Sequence, residues 1–172
     1  MTTWTRLSAM SALVLLAGAA AASARSLSPA DRQFLDTAAR ADMTEAHEGQ
    51  VIAGKADTTE VRAFAKTLDQ DHEKSYEEIT NLAAKDGVNI PKGIDITKDR
   101  PFDQLMTLSG SRLDHQFAED EIRAHRREIA LFRREAAHAG NRDVRAYAAE
   151  MIPVLEMHLR LAEECAKARK PV

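Results

Sequence analysis

Three histidines and a glutamate carry the most chemistry in this chain, and each stands where an apolar residue is expected. On an ideal helical wheel, Phe34, Ala38, Ala41, Glu45, Gly49 and Ile52 form one stripe, all within about 40° of Glu45. A second stripe, Val61, Ala65, Leu68, His72, Tyr76, Ile79 and Ala83, is centred on His72. A third, Val144, Tyr147, Met151, Val154, His158, Leu161 and Cys165, is centred on His158. Gly110, Asp114, Phe117, Glu121, His125, Ile129 and Phe132 share a further face, which turns Asp114, Glu121 and His125 inward together. Burying an ionisable group is costly unless it is paired or bound to a metal. Four such groups on four helices ask for one explanation. Imidazole and carboxylate donors suit Zn, Fe, Cu or Ni, and a single cysteine offers no thiolate cluster. The expected ligands are Glu45, His72, Glu121, His125 and His158, with Asp69, Asp71 and Asp114 as supporting carboxylates, Asp114 alternatively anchoring a loop. The competing explanation is a buried polar network that fixes helix register and binds nothing.

The elements that must hold these groups are helices. Glycine and proline are sparse and clustered, and the long stretches between them are rich in Ala, Leu, Glu, Lys and Arg. The first predicted helix starts at Ser28-Pro29, a capping serine before a proline, and runs to about residue 53, where Gly54 stops it. The second starts at Asp57 or Thr58 and runs to about residue 86, before Gly87. The third runs from about residue 102 to 138, bent at Ser109-Gly110-Ser111, and the fourth from about 142 to 168 with a kink at Pro153. Residues 87 to 101, with two glycines and two prolines, have no helical period. At roughly 3.3 Å per residue they reach about 50 Å, enough to cross the full length of a bundle. The fold class expected is all-α: an antiparallel four-helix bundle with a long connection between its second and third helices.

Residues 1 to 24 read as a secretory leader, with Arg6 in a short first region, an apolar run over residues 9 to 22 and the small-residue site Ala22-Ser23-Ala24. That predicts a periplasmic or secreted protein, one domain over residues 25 to 172, and no membrane insertion once the leader is removed. The 24 basic and 27 acidic residues are mixed throughout and leave a net charge of -3, which is no footprint for nucleic acid. The arginines of residues 122 to 137 fall on an outer face and are matched by Glu119, Asp120, Glu128 and Glu135. His47, His115 and His138 lie off the stripes, and Cys165 reads as a buried thiol. The chain has no glycine-rich phosphate loop and no serine paired to a base, so no catalytic residue is assigned. Association into a homodimer is left open.

Phe34, Glu45 and Gly49, together with VRAFAKTLDQDH (61 to 72), SGSRLDHQFAEDEIRAH (109 to 125) and MIPVLEMHL (151 to 159), resemble the DUF4142 family of secreted, ferritin-like bacterial envelope proteins. The resemblance implies a ferritin-like four-helix bundle exported from the cytoplasm, in a family whose biochemical function is unassigned. Di-metal bundles of that superfamily use a Glu from each of two helices and Glu-x-x-His from each of the other two. Here the second helix offers Asp69-x-x-His72 and the fourth Leu155-x-x-His158, so one metal held by three histidines and one or two carboxylates is the more natural expectation. The corresponding roles are metal sequestration, sensing or envelope stress protection. One alternative is a periplasmic metal-dependent oxidase or peroxide-consuming enzyme in which Glu121 handles protons. Another is a purely structural or interaction module.

Overall fold

The computed structural model describes residues 26–90, 92 and 100–168, and these contain helices and no strand. The helices are α1 (Pro29–Lys55), α2 (Thr59–Ala84), α3 (Arg100–Leu105), α4 (Gly110–His138) and α5 (Arg142–Ala168). The expected leader, residues 1 to 24, lies outside the described residues, as do residues 91 and 93 to 99 of the long connection.

Local chemistry sets the helix ends. Ser28 and Asp31 form a reciprocal cap at the start of α1: Asp31 N–H donates to Ser28 Oγ at 3.1 Å, and Ser28 N–H to Asp31 Oδ2 at 2.8 Å. Thr58 Oγ1 accepts from Val61 N–H to open α2. Gly87, at φ 68°, lets Val88 N–H fold back to the Ala83 carbonyl and close it. Gly54 does not stop α1, which runs one residue past it to Lys55. The third predicted helix is not one bent rod but two helices. Its interruption falls before Gly110, whose φ of 58° is a conformation other residues adopt only under strain. Pro153 is accommodated inside α5.

α1 pairs with α2 across Ala56-Asp57-Thr58, and α4 pairs with α5 across Ala139-Gly140-Asn141. Two buried aspartates fasten the hairpins together at opposite ends. Asp31 accepts from Gly140 N–H at 2.9 Å and Asn141 N–H at 3.4 Å, in the α4–α5 turn. Asp114 accepts from Asp57 N–H, Thr58 N–H and the Thr58 hydroxyl at 2.9, 2.8 and 2.7 Å, in the α1–α2 turn. α4 therefore starts at the α1–α2 turn and ends beside the start of α1. α2 also ends there, because Asp86 accepts from Leu27 N–H at 2.9 Å. The chain must traverse the length of the bundle between α2 and α4, and these two helices run in the same direction.

The core has two apolar parts. One joins Phe34, Leu35, Ile79, Phe132, Tyr147 and Leu155; the other joins Ile52, Phe64, Leu68, Leu113, Phe117 and Cys165. On each of the four long helices a polar residue intervenes between its contributions to the two parts: Glu45, His72, His125 and His158. At one place α1 and α2 nearly touch. A Cβ on Gly49 would lie 2.5 Å from the Ala65 carbonyl oxygen, so only glycine permits this approach.

Candidate metal centre

The polar layer is a convergence of three imidazoles. Ring centroids are 5.9 Å apart for His72 and His125, 5.3 Å for His72 and His158, and 5.2 Å for His125 and His158. The rings are 1 %, 0 % and 0 % exposed for His72, His125 and His158, so no solvent satisfies them. One nitrogen of each is engaged on the outer side. His72 Nδ1 lies 2.8 Å from Asp42 Oδ1, His158 Nε2 lies 3.0 Å from Asp71 Oδ2, and His125 Nδ1 lies 3.1 Å from the Glu121 carbonyl. In the neutral form of each ring, an N–H donated to its oxygen leaves the opposite nitrogen as a lone-pair donor, and a bound cation would displace the second proton of a charged ring. Such acceptors ordinarily orient the histidines that ligate metals.

Two of the three remaining nitrogens face Glu45, and the third, on His158, faces His125. His125 Nε2 and His158 Nδ1 are 3.1 Å apart. Glu45 Oε2 is 2.9 Å from His72 Nε2 and 3.6 Å from His125 Nε2. Glu45 Oε2 and His72 Nε2 thus meet as a charge pair, but they are not aligned as a hydrogen bond, and neither atom has one. One donor atom from each of His72, His125 and His158 lies within 4.8 Å of the others, and the same holds for Glu45, Glu121 and His125. Glu121 Oε2 is 3.3 Å from His125 Nδ1 and also lacks a hydrogen bond.

Electrostatics divides the layer. Burial raises the Glu45 pKa, but the positive charge of His72 and His125 outweighs it and holds the carboxyl well below its ordinary range. Burial lowers the pKa of His72, and the Glu45 charge with the Asp42 hydrogen bond overcomes this and raises it well above the ordinary imidazole value. His125 is likewise raised, burial being offset by Glu45 and Glu121. His158 moves the other way, to about 4, because burial and the charges of His72 and His125 exceed the help from Asp71. Burial and the neighbouring Glu45 charge raise Glu121, and the same two causes raise Glu128 well above the carboxylate range.

The structure thus brings together Glu45, His72, Glu121, His125 and His158, with Asp71 behind His158. Asp69 and Asp114 are not brought in. Asp114 serves the α1–α2 turn, about three helical turns before His125 on α4, and among the described residues no hydrogen bond or ion pair ties the Asp69 carboxylate to the rings. Two contributors escaped the stripes. Asp42 orients His72, and Glu128, expected among the outer-face partners of the arginines, instead has its carboxylate buried close enough to Glu45 for that charge to raise its pKa. Their signal was spacing: each stands three residues from a centre-line group, Asp42 before Glu45 and Glu128 after His125. The neighbouring arginines do face out, Arg126 to Glu163 at 2.9 Å and Arg133 to Glu156 at 2.7 Å.

Fold and site together define a class: a helical bundle with a buried histidine and carboxylate layer at mid-length. The chain belongs to the DUF4142 family, a domain of unknown function whose profile matches residues 16–165. It is similar in fold to a DUF305 fragment from Deinococcus radiodurans, with a TM-score of 0.74 at 14% identity over 84% of this chain and 99% of that one. It is also similar to a DUF305 protein from Streptomyces coelicolor, with a TM-score of 0.71 at 15% identity over 81% of this chain and 92% of that one. No curated protein matches the chain at a significant level. Among the described residues, no helix is long and apolar enough to cross a membrane.

Proposed function

We propose that this chain is an exported metal-binding protein, a ferritin-like four-helix bundle that holds one transition-metal ion in its polar layer. The end-to-end connection between the two helical hairpins supports the ferritin-like topology, since bundles of that kind have one long crossover. The leader read in residues 1 to 24 supports export to the periplasm or beyond, and the Streptomyces coelicolor neighbour is described as a candidate secreted protein. His72, His125, His158 and Glu45 are the proposed ligands. Asp42, Asp71 and the Glu121 carbonyl fix the rings.

The spacing of the donors carries this reading. Zinc to nitrogen bonds of about 2.0 to 2.1 Å place the ligand atoms of a tetrahedral site about 3.3 Å apart. Three of the separations among the inward donors are 2.9, 3.1 and 3.6 Å, close to that spacing. His125 Nε2 and His158 Nδ1 also meet as a hydrogen bond, whereas Glu45 Oε2 and His72 Nε2 approach each other unaligned, a contact that a shared ion accounts for. The chemistry of the donors suits Zn, Cu or Fe. Rings this deeply buried favour holding an ion over turning over a substrate, hence sequestration or sensing in the envelope. Equilibrium dialysis of untagged protein against each metal, followed by elemental analysis, is the test. The expected result is close to one ion per chain in the wild type and loss of it in His158→Ala. Less than about a tenth of an equivalent of every metal would favour the structural module instead.

A further inference from the structure

A buried centre needs a way in, and the layer is not equally close to every face of the bundle. A cleft of about 860 Å³ lies between α1 and α4, beside α3. Two members of the layer, Glu45 and Glu121, form part of its wall, and none of the three histidines does. Four acids, Glu45, Glu48, Asp120 and Glu121, and three arginines, Arg40, Arg123 and Arg127, line it; Arg40 is held by Asp36 and Arg123 by Asp120. Glu121 is 2 % exposed, and its Oε2 has no hydrogen bond. A carboxylate oxygen of Glu121 belongs with Glu45 and His125 in a donor group compact enough to hold an ion, next to the three-histidine group and sharing His125 with it.

We propose that this cleft is the route by which a divalent cation reaches the three-histidine centre, and that Glu121 is its first buried ligand; the proposal rests on the metal reading above. A cation arriving from the cleft meets carboxylate oxygens first. These displace its water readily and supply the charge that offsets desolvation. It then needs to shift only from the Glu45, Glu121 and His125 group to the histidine group. Glu45 Oε2, 2.9 Å from His72 Nε2 and 3.6 Å from His125 Nε2, stays in reach throughout. Glu121 is left behind on the cleft side, where its Oε2 lies 3.3 Å from His125 Nδ1 without an aligned hydrogen bond.

A smaller groove of about 260 Å³ between α1 and α2 also reaches the layer, at His72. It is lined by Asp42, Asp69 and Glu73 beside that ring, and Asp42 Oδ1 already holds Nδ1 at 2.8 Å. Of the proposed ligands it reaches only His72, whereas the larger cleft reaches two carboxylates of the layer.

Cobalt(II) chloride is a suitable probe, because its visible absorption intensifies when it enters a tetrahedral nitrogen site, and stopped-flow mixing follows the rate. Two variants test the route. Glu121→Gln keeps the shape and removes the charge, and Ala124→Phe fills the cleft from the wall of α4. Both should load more slowly than wild type by at least about tenfold, the low end of the rate gain a charged cleft provides. Ala124→Phe should reach the same final cobalt content. Either variant loading at the wild-type rate overturns the proposal. Circular dichroism verifies the fold, and should Ala124→Phe not fold, Ala41→Leu on the opposite wall makes the same comparison. Wild-type protein that takes up no cobalt would instead contradict the metal reading, so the two failures are distinguishable.

Discussion

Gly49→Ala and Gly54→Ala are the same substitution on the same helix, yet they should move stability in opposite directions. A Cβ at Gly49 would lie 2.5 Å from the Ala65 carbonyl oxygen, 2.8 Å from Asp69 N and 3.3 Å from Leu68 Cβ. The first two are backbone atoms of α2 and cannot rotate aside, so α1 and α2 must part by about 1 Å to restore van der Waals contact. Overpacking of this severity costs about 3 kcal/mol, and the helix preference of alanine returns about 1, a net loss of about 2 kcal/mol. At Gly54 the added Cβ meets nothing within 4 Å. Only the gain of up to about 1 kcal/mol remains there, reduced by its place in the last turn. Urea denaturation followed by far-ultraviolet circular dichroism measures both. Gly49 is one turn from Glu45, so the parting that weakens the fold should also pull Glu45 from His72 and loosen metal binding. A Gly49→Ala protein as stable as Gly54→Ala would refute the close approach of the two helices and the placement of Glu45 that depends on it.

Two other outcomes follow from the supporting carboxylates. Asp71→Ala removes the acceptor that holds His158 Nε2, and metal affinity in dialysis should fall about 10- to 100-fold while the helical content is retained. Asp31→Ala removes the acceptor shared by Ser28, Gly140 and Asn141 and should cost about 1.5 to 3 kcal/mol at neutral pH. Burial raises the Asp31 pKa, but these hydrogen bonds favour its charged form and bring the net value below 3.8. Its stabilisation is therefore present above the unfolded value and lost as pH falls through the folded one. Wild type and variant should converge in acid denaturation below about pH 4.

Helical periodicity made much of the site legible, because it reports direction around a rod. Glu45, His72, His125 and His158 each sat on the centre line of an apolar stripe, and the structure brings all four together. Direction says nothing of height, which is why the sequence leaves Asp114 open between supporting a ring and anchoring a loop. It does face inward, but from the first turns of α4, where the nearest partners are the backbone amides of the α1–α2 turn. Asp42 and Glu128 were missed for the complementary reason. Each lies about 60° from its stripe's centre, at the edge where a side chain can turn to either side, and only the packed neighbours decide. Backbone conformation was legible where glycine was structurally required, as at Gly87 with its positive φ, and misleading where it was merely tolerated, as at Gly54. The split between α3 and α4 falls beside Ser109-Gly110-Ser111, where the sequence predicted a bend. A glycine-serine stretch marks a weak point in a helix without saying whether it curves or breaks.

The central claim is that imidazoles from α2, α4 and α5 and a carboxylate from α1 share one ion. Crystals of the untagged protein soaked in zinc or cobalt, with data collected at the metal's absorption edge, test it most directly. The account predicts one strong anomalous peak about 2.0 to 2.2 Å from His72 Nε2, His125 Nε2, His158 Nδ1 and a Glu45 oxygen. Stoichiometric metal whose peak lies elsewhere on the chain, with the four side chains still in mutual contact, would contradict it.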